Sequence, residues 1–165
     1  MRFSAIAVGI IIFITACIGF GVWLFLILKP WRAGWNDSDQ AIMVFPHGTI
    51  TAEVASSTLK QYRGLSGHAP LAQNAGMLFV FGSAHKYPFV MRGMTFPLDF
   101  IWIADNHIVD LDQNVPAPKP GINPEIVIPK SRVTMVLEVN AGTIARLNLI
   151  DGDPVTITRQ PKADE

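Results

Sequence analysis

Arg63, Arg92, Asp99, Trp102 and Glu138 are the residues whose sequence surroundings demand a chemical explanation. Asp99 sits in Leu98-Asp99-Phe100-Ile101-Trp102-Ile103, a run so apolar that it reads as a strand buried on both faces. An isolated carboxylate is costly to bury, so Asp99 must be paired, hydrogen-bonded or turned to water at the strand mouth. Arg92, across the break marked by Gly93, is its nearest partner in sequence. Glu138 lies in the apolar run Val133–Val139, and Arg63 directly precedes Gly64, so each also needs a partner. Two readings are open. One is a structural ion-pair network that holds a sheet together. The other is a ligand pocket in which Arg63, Arg92, Asp99 and Glu138 converge beside Phe79, Phe81, Phe89 and Trp102.

The better-known reactive patterns are weak here. His47, His68, His85 and His107 all fall in expected turns, none at a metalloprotease spacing, so no metal site is expected. Asp110-Leu111-Asp112-Gln113-Asn114 opens like a calcium loop. Val115 then stands where a glycine is needed, and Gly121 where a glutamate would close the loop. Ser66 with His68 nearby could be imagined as nucleophile and base, but close neighbours in sequence rarely reach triad geometry. No nucleophile elbow, phosphate loop or dinucleotide fingerprint occurs, and no cofactor is expected.

These residues must be positioned by many short strands. Ala41–Phe45 and Thr49–Ala55 flank Pro46-His47-Gly48 as a hairpin. Ser56–Arg63 reads as a short helix capped by Ser56 or Ser57 and stopped at Gly64. Gly76–Phe81, Leu98–Ile103, Ile108–Asp112, Glu125–Ile128, Val133–Val139 and Val155–Thr158 read as strands, with a turn over Gly82–Lys86 leading into Tyr87–Met91. Ala104–His107 fits a hairpin turn, and Ala141–Asn148 a second short helix with Asn140 as its cap. The fold class is α+β: one compact β-rich domain, a curved and mostly antiparallel sheet or barrel with two short helices.

The chain has 165 residues and a formal charge of zero, which hides an asymmetry. Phe3–Leu28 carries no charge and as a helix would be about 39 Å long, enough to cross a bilayer with tilt. Arg2, Lys29 and Arg32 flank it, and Trp31 beside the basic residues suits a membrane interface. The segment is too long for an ordinary cleaved signal, so an uncleaved anchor is expected. Ile14-Thr15-Ala16-Cys17 resembles a lipoprotein cleavage site, but cleavage would leave Ile18–Leu28 as an apolar stub. Cys17 is the single cysteine, so no intrachain disulfide can form. The expected organisation is an anchor over 1–32, a linker over 33–40, a domain over 41–160 and a polar tail over 161–165. Beyond the anchor, thirteen acids face ten bases, with no basic patch for a nucleic acid.

The order of the segments carries a resemblance. Arg63-Gly64-Leu65, Gly76–Phe81, Phe89-Val90-Met91-Arg92, Pro97-Leu98-Asp99, Leu137-Glu138-Val139-Asn140-Ala141-Gly142 and Gly152-Asp153 closely resemble the DUF192 family, a domain of unknown function found in bacteria and archaea. That family usually has Phe-Trp-Met-Lys-Asn-Thr before Pro-Leu-Asp. Here Val90 replaces Trp, Arg92 replaces Lys, Gly93 replaces Asn and Met94 replaces Thr. The resemblance implies a compact extracytoplasmic domain; it does not imply a reaction.

The resulting expectation is a membrane-anchored periplasmic or otherwise extracytoplasmic module. It would bind a small molecule or an envelope protein, with Arg63, Arg92, Asp99, Trp102 and Glu138 as the ligand-binding set. One alternative is a hydrolase or lyase with Asp99 as general base and Arg92 as electrostatic stabiliser. Another is a structural tether in an envelope complex.

Overall fold

Alternation along the strands decides which residues meet. The structure, a computed structural model, describes residues 34–161. The expected anchor over residues 3–28 and the last residues of the expected tail lie outside that range. No helix among the described residues is long and apolar enough to cross a membrane. Among the described residues nine strands form: β1 (Gln40–Phe45), β2 (Gly48–Ala55), β3 (Ala75–His85), β4 (Phe89–Val90), β5 (Leu98–Ala104), β6 (His107–Val115), β7 (Ile126–Val127), β8 (Val133–Asn140) and β9 (Thr156–Gln160). Two short helices join them, α1 (Thr58–Arg63) and α2 (Thr143–Arg146).

Seven strands make one sheet in the order β6-β5-β8-β3-β2-β1-β9, and β4 with β7 makes a separate ribbon. Among the described pairs only β2 and β3 run parallel, so the sheet is mixed rather than wholly antiparallel. A parallel neighbour needs a crossover, and α1 lies in it. The sheet is open between strands but its edges meet at one end. There His107 bridges Pro154, and Ile108 N–H donates to Asp153 O at 2.9 Å. The expected compact β-rich domain with two short helices is what forms, as a mixed seven-stranded sheet with a small second sheet. The hairpin turn at Asp105-Asn106 has φ of 49° and 60°, the left-handed pair that its twist requires.

The central strands β5 and β8 are buried on both faces, which is why they read as continuous apolar runs, whereas β1 and β2 alternate and β9 has no buried residue. Ile101, Ile103, Leu137 and Val139 enter a first core, roofed by Ile144, Leu147 and Leu149 after β8. Phe100, Trp102 and Val136 enter a second core with Phe79, Phe89, Met91 and Phe96. Each such side chain contributes about 1.5–3 kcal/mol by leaving water. The period of two therefore places Asp99 with Ile101, on the face opposite Trp102.

Three local expectations change. The turn expected over Gly82–Lys86 is mostly strand, because β3 continues to His85 through a register shift after Val80. The second helix is shorter than expected, and Asn140 does not cap it. Its side chain instead holds Leu71, donating to Leu71 O at 2.6 Å and accepting from Leu71 N at 3.1 Å. Residues 35–39, which read as linker, are bound into the domain. Trp35 packs on the first core, and Asp39 is buried against Arg159 at 2.7 Å. Asp37 accepts from Ser56 and Ser57. Burial would raise the Asp37 pKa, but these hydrogen bonds lower it to about 2.

Candidate ligand pocket

Asp99 is fully buried, and its partners are backbone groups. One carboxylate oxygen accepts from Asn114 N at 2.8 Å, the other from Ile144 N at 2.9 Å. Both donors need it. Asn114 adopts a positive φ of 54° where β6 shifts register against β5, so its N–H leaves the ladder. Ile144 N–H belongs to the first turn of α2, whose cap Gly142 offers no side chain. Asp99 is thus a cap supplied from the sheet. The expected Asp99–Arg92 pair does not form, and the arrangement of a general base beside that arginine is absent.

Arg92 is exposed and turns to α1. Its Nη2 donates to Tyr62 O at 3.2 Å, and the guanidinium lies 4.3 Å from the centre of the Tyr62 ring. Trp102 is fully buried. Its indole N–H donates to Asp112 at 2.7 Å, and its ring stacks on Phe100 with centroids 5.8 Å apart. The other acid of the calcium-like run, Asp110, binds Lys130 Nζ at 2.6 Å and Lys130 N at 2.8 Å. Burial would raise the Asp110 pKa, but Lys130 outweighs it and holds the carboxyl below the usual range. Among the described residues, no three or more His, Cys, Asp or Glu gather as a metal would need.

Glu138 is different. It faces the second core from β8, in register with Phe100 on one side and Met77 on the other. It is 7% exposed, and its Oε2 has no hydrogen-bond partner among the described residues. Burial without a compensating donor pushes its pKa up from 4.5 to about 8.

This carboxyl opens into a cavity of about 350 Å³. Phe79, Phe81 and Phe89 wall it, and Tyr62, Arg63 and Arg92 stand at its exposed mouth. Phe79 and Phe89 meet edge to face at 4.8 Å, and Tyr87 stacks on Phe81 at 3.7 Å. Of the five expected site residues, three line this cavity: Arg63, Arg92 and Glu138. Asp99 and Trp102 do not.

The mouth is built by two connections held together. Ser57 caps α1, accepting from Lys60 N at 3.2 Å. Gln61 ties the helix to β3 through Val80 O at 2.8 Å, beside the register shift. Ser66 Oγ donates to Arg92 O at 2.6 Å, and Gly67 N to Gly93 O at 3.0 Å. Ser66 is therefore a clasp, and no hydrogen bond joins it to His68 among the described residues. Gly93 has φ of 68°, and a Cβ there would come within 3.2 Å of the Ser66 Cβ. Sequence reasoning missed Tyr62, Gln61 and Tyr87 as pocket residues. The paired breaks Gly64–Gly67 and Arg92-Gly93 were the available signal.

The profile of the DUF192 family, described as uncharacterized ACR, matches residues 42–157. A crystal structure of a proposed transcription regulator from Sinorhizobium meliloti 1021 is 28% identical. It covers 75% of this chain and 97% of its own length, with a TM-score of 0.64. A protein of unknown function from Novosphingobium aromaticivorans DSM 12444 is 26% identical over 71% of this chain and 83% of its own, with a TM-score of 0.62. No curated protein matches the chain.

Proposed function

This chain belongs to the DUF192 family, and from that premise and the pocket's geometry we propose that its domain is a small-ligand-binding module. The carrying observation is Glu138: a buried carboxyl whose Oε2 has no partner among the described residues, in an aromatic-lined cavity with an opening. Natural proteins rarely leave such a group unpaired, and a ligand that donates to it would supply the missing bond. The volume sits at the small end of the usual range for ligand sites, which fits one small molecule. The uncharged segment 3–28 supports a membrane anchor, with the domain working on the extracytoplasmic side. The transcriptional role ascribed to the Sinorhizobium protein is not carried over. The excess of acids beyond residue 36 suits a small ligand or an envelope protein better than a nucleic acid.

The test is a screen of neutral, anionic, cationic and amphoteric small molecules against the full-length chain in detergent, labelled at its methionine methyl groups. Met91 and Met94 line the cavity, whereas Met43 lies in the first core. Binding in the pocket shifts Met91 and Met94 and leaves Met43 in place. If no compound of any charge class moves Met91 or Met94, the ligand-binding reading falls.

A further inference from the structure

The charges around the cavity have an order that points to its ligand. The buried end presents one carboxyl, Glu138, and the mouth presents two guanidinium groups, Arg63 from α1 and Arg92 from the turn after β4. The other titratable groups on the lining are the phenols of Tyr62 and Tyr87. Tyr87 is committed, since its hydroxyl donates to Ser83 O at 2.8 Å. Among the described residues the Arg63 guanidinium makes no hydrogen bond or ion pair, and that of Arg92 spends one donor on Tyr62 O. A guanidinium has five donors, so both keep free capacity. Between the two ends the lining is largely apolar, with Phe79, Phe81 and Phe89 beside Leu65, Met91, Met94 and Leu98.

Resting on the ligand-binding reading above, we propose that the pocket takes a small amphoteric molecule, with its amine inward at Glu138 and its carboxylate outward at Arg63 and Arg92. A purely cationic ligand must pass two guanidinium groups with nothing to offer them. A purely anionic one puts its charge at the mouth but leaves Glu138 without a donor. A neutral one answers neither end by charge. An amine and a carboxylate on one small apolar frame answer both, as a free amino acid does.

The proposal has a proton consequence. With a pKa near 8, Glu138 is about nine-tenths protonated at pH 7 in the free protein. An ammonium placed beside it favours the ionised form. The carboxyl O–H bond then breaks, the proton leaves to buffer, and a carboxylate–ammonium pair replaces the neutral acid. The ligand enters with no net charge, and the proton taken up by buffer leaves the complex one unit more negative than the free protein.

The experiment is calorimetric titration of the full-length chain in detergent with free amino acids, each beside its decarboxylated amine and its deaminated acid. Two buffers of different ionisation enthalpy are used at pH 7. We expect at least one amino acid to bind about tenfold or more tightly than both analogues, releasing close to one proton per ligand. Glu138→Gln, which removes the titrating group at nearly constant volume, loses that proton release and weakens binding about tenfold. Arg63→Met, at an exposed position, weakens the amino acid but not the amine. If the deaminated acid binds as well as its parent, or no proton is released, the proposal is overturned. If the methionine screen yields only neutral or only anionic binders, the proposal fails while the ligand-binding reading stands. If that screen is empty, both fall.

Discussion

Replacing Glu138 by Gln should stabilise the domain, and by an amount that depends on pH. In the native state the carboxyl lies between Phe100 and Met77 with no donor at Oε2, and it holds its proton up to about pH 8. In the unfolded chain it ionises near 4.5. Between these values the native state keeps a proton that the unfolded state has lost, so stability falls as pH rises. At about 1.4 kcal/mol per pH unit, the loss is roughly 3 kcal/mol at pH 7 and levels near 5 kcal/mol above pH 9. Glutamine cannot ionise, so the variant escapes this loss, although its amide brings a pH-independent desolvation cost of its own. The informative quantity is therefore the difference between variant and wild type across pH. Equilibrium urea unfolding followed by near-ultraviolet circular dichroism, which reads the packed Phe100–Trp102 pair, supplies it. The stability difference should grow in favour of the variant by several kcal/mol from pH 4 to pH 9. A flat difference, within about 1 kcal/mol over that range, would refute the claim that Glu138 is buried without compensation.

Further outcomes follow from the same geometry. Asp99→Ala strands the N–H groups of Asn114 and Ile144 and should cost about 3 kcal/mol or more in urea unfolding, whereas Arg92→Met should cost about 1 kcal/mol or less. Equal losses would restore an ion pair between them. Gly93→Ala forces a side chain into a left-handed conformation against Ser66 and should cost about 1–2 kcal/mol, read as a lower thermal midpoint. Asp39 and Asp110 have lowered pKa values in the fold, so their stabilisation is present above 3.8 and is lost as pH falls through the lowered values. Arg159→Met should accordingly move acid unfolding to higher pH, and an unchanged acid midpoint would count against the Asp39 pair.

Much of the strand pattern was legible because burial of both sheet faces writes itself as unbroken apolar runs, as in Leu98–Ile103. The two ionisable residues in such runs were also legible as anomalies. Their partners were not. Asp99 finds backbone donors that exist only because β6 bulges and α2 lacks a side-chain cap, neither of which a composition of residues announces. Asp99 and Trp102 were assigned to the pocket although period-two alternation already sets Asp99 on the opposite face from Trp102. The pocket itself comes from α1, β3, the turn at Gly93 and β8, and that convergence is a property of strand order. β3 running through Gly82–Ser83 shows the opposite failure: a turn-like composition accommodated by a register shift within a strand.

The pairing of β1 with β9 has a consequence for how the chain is made. Gln40 lies opposite Gln160, so the domain's first and last strands begin and end at the same corner. The outer edge of β1 has no strand beside it until β9 has left the ribosome, a template open to other chains while the intervening strands are made. Asp39 likewise waits for Arg159. Because the ends are adjacent, joining them with a short linker and reopening the chain at the exposed loop around Gly121 should give a circular permutant with the same sheet. In that permutant β9 would precede β1 as an ordinary hairpin, and the interval of exposure would vanish.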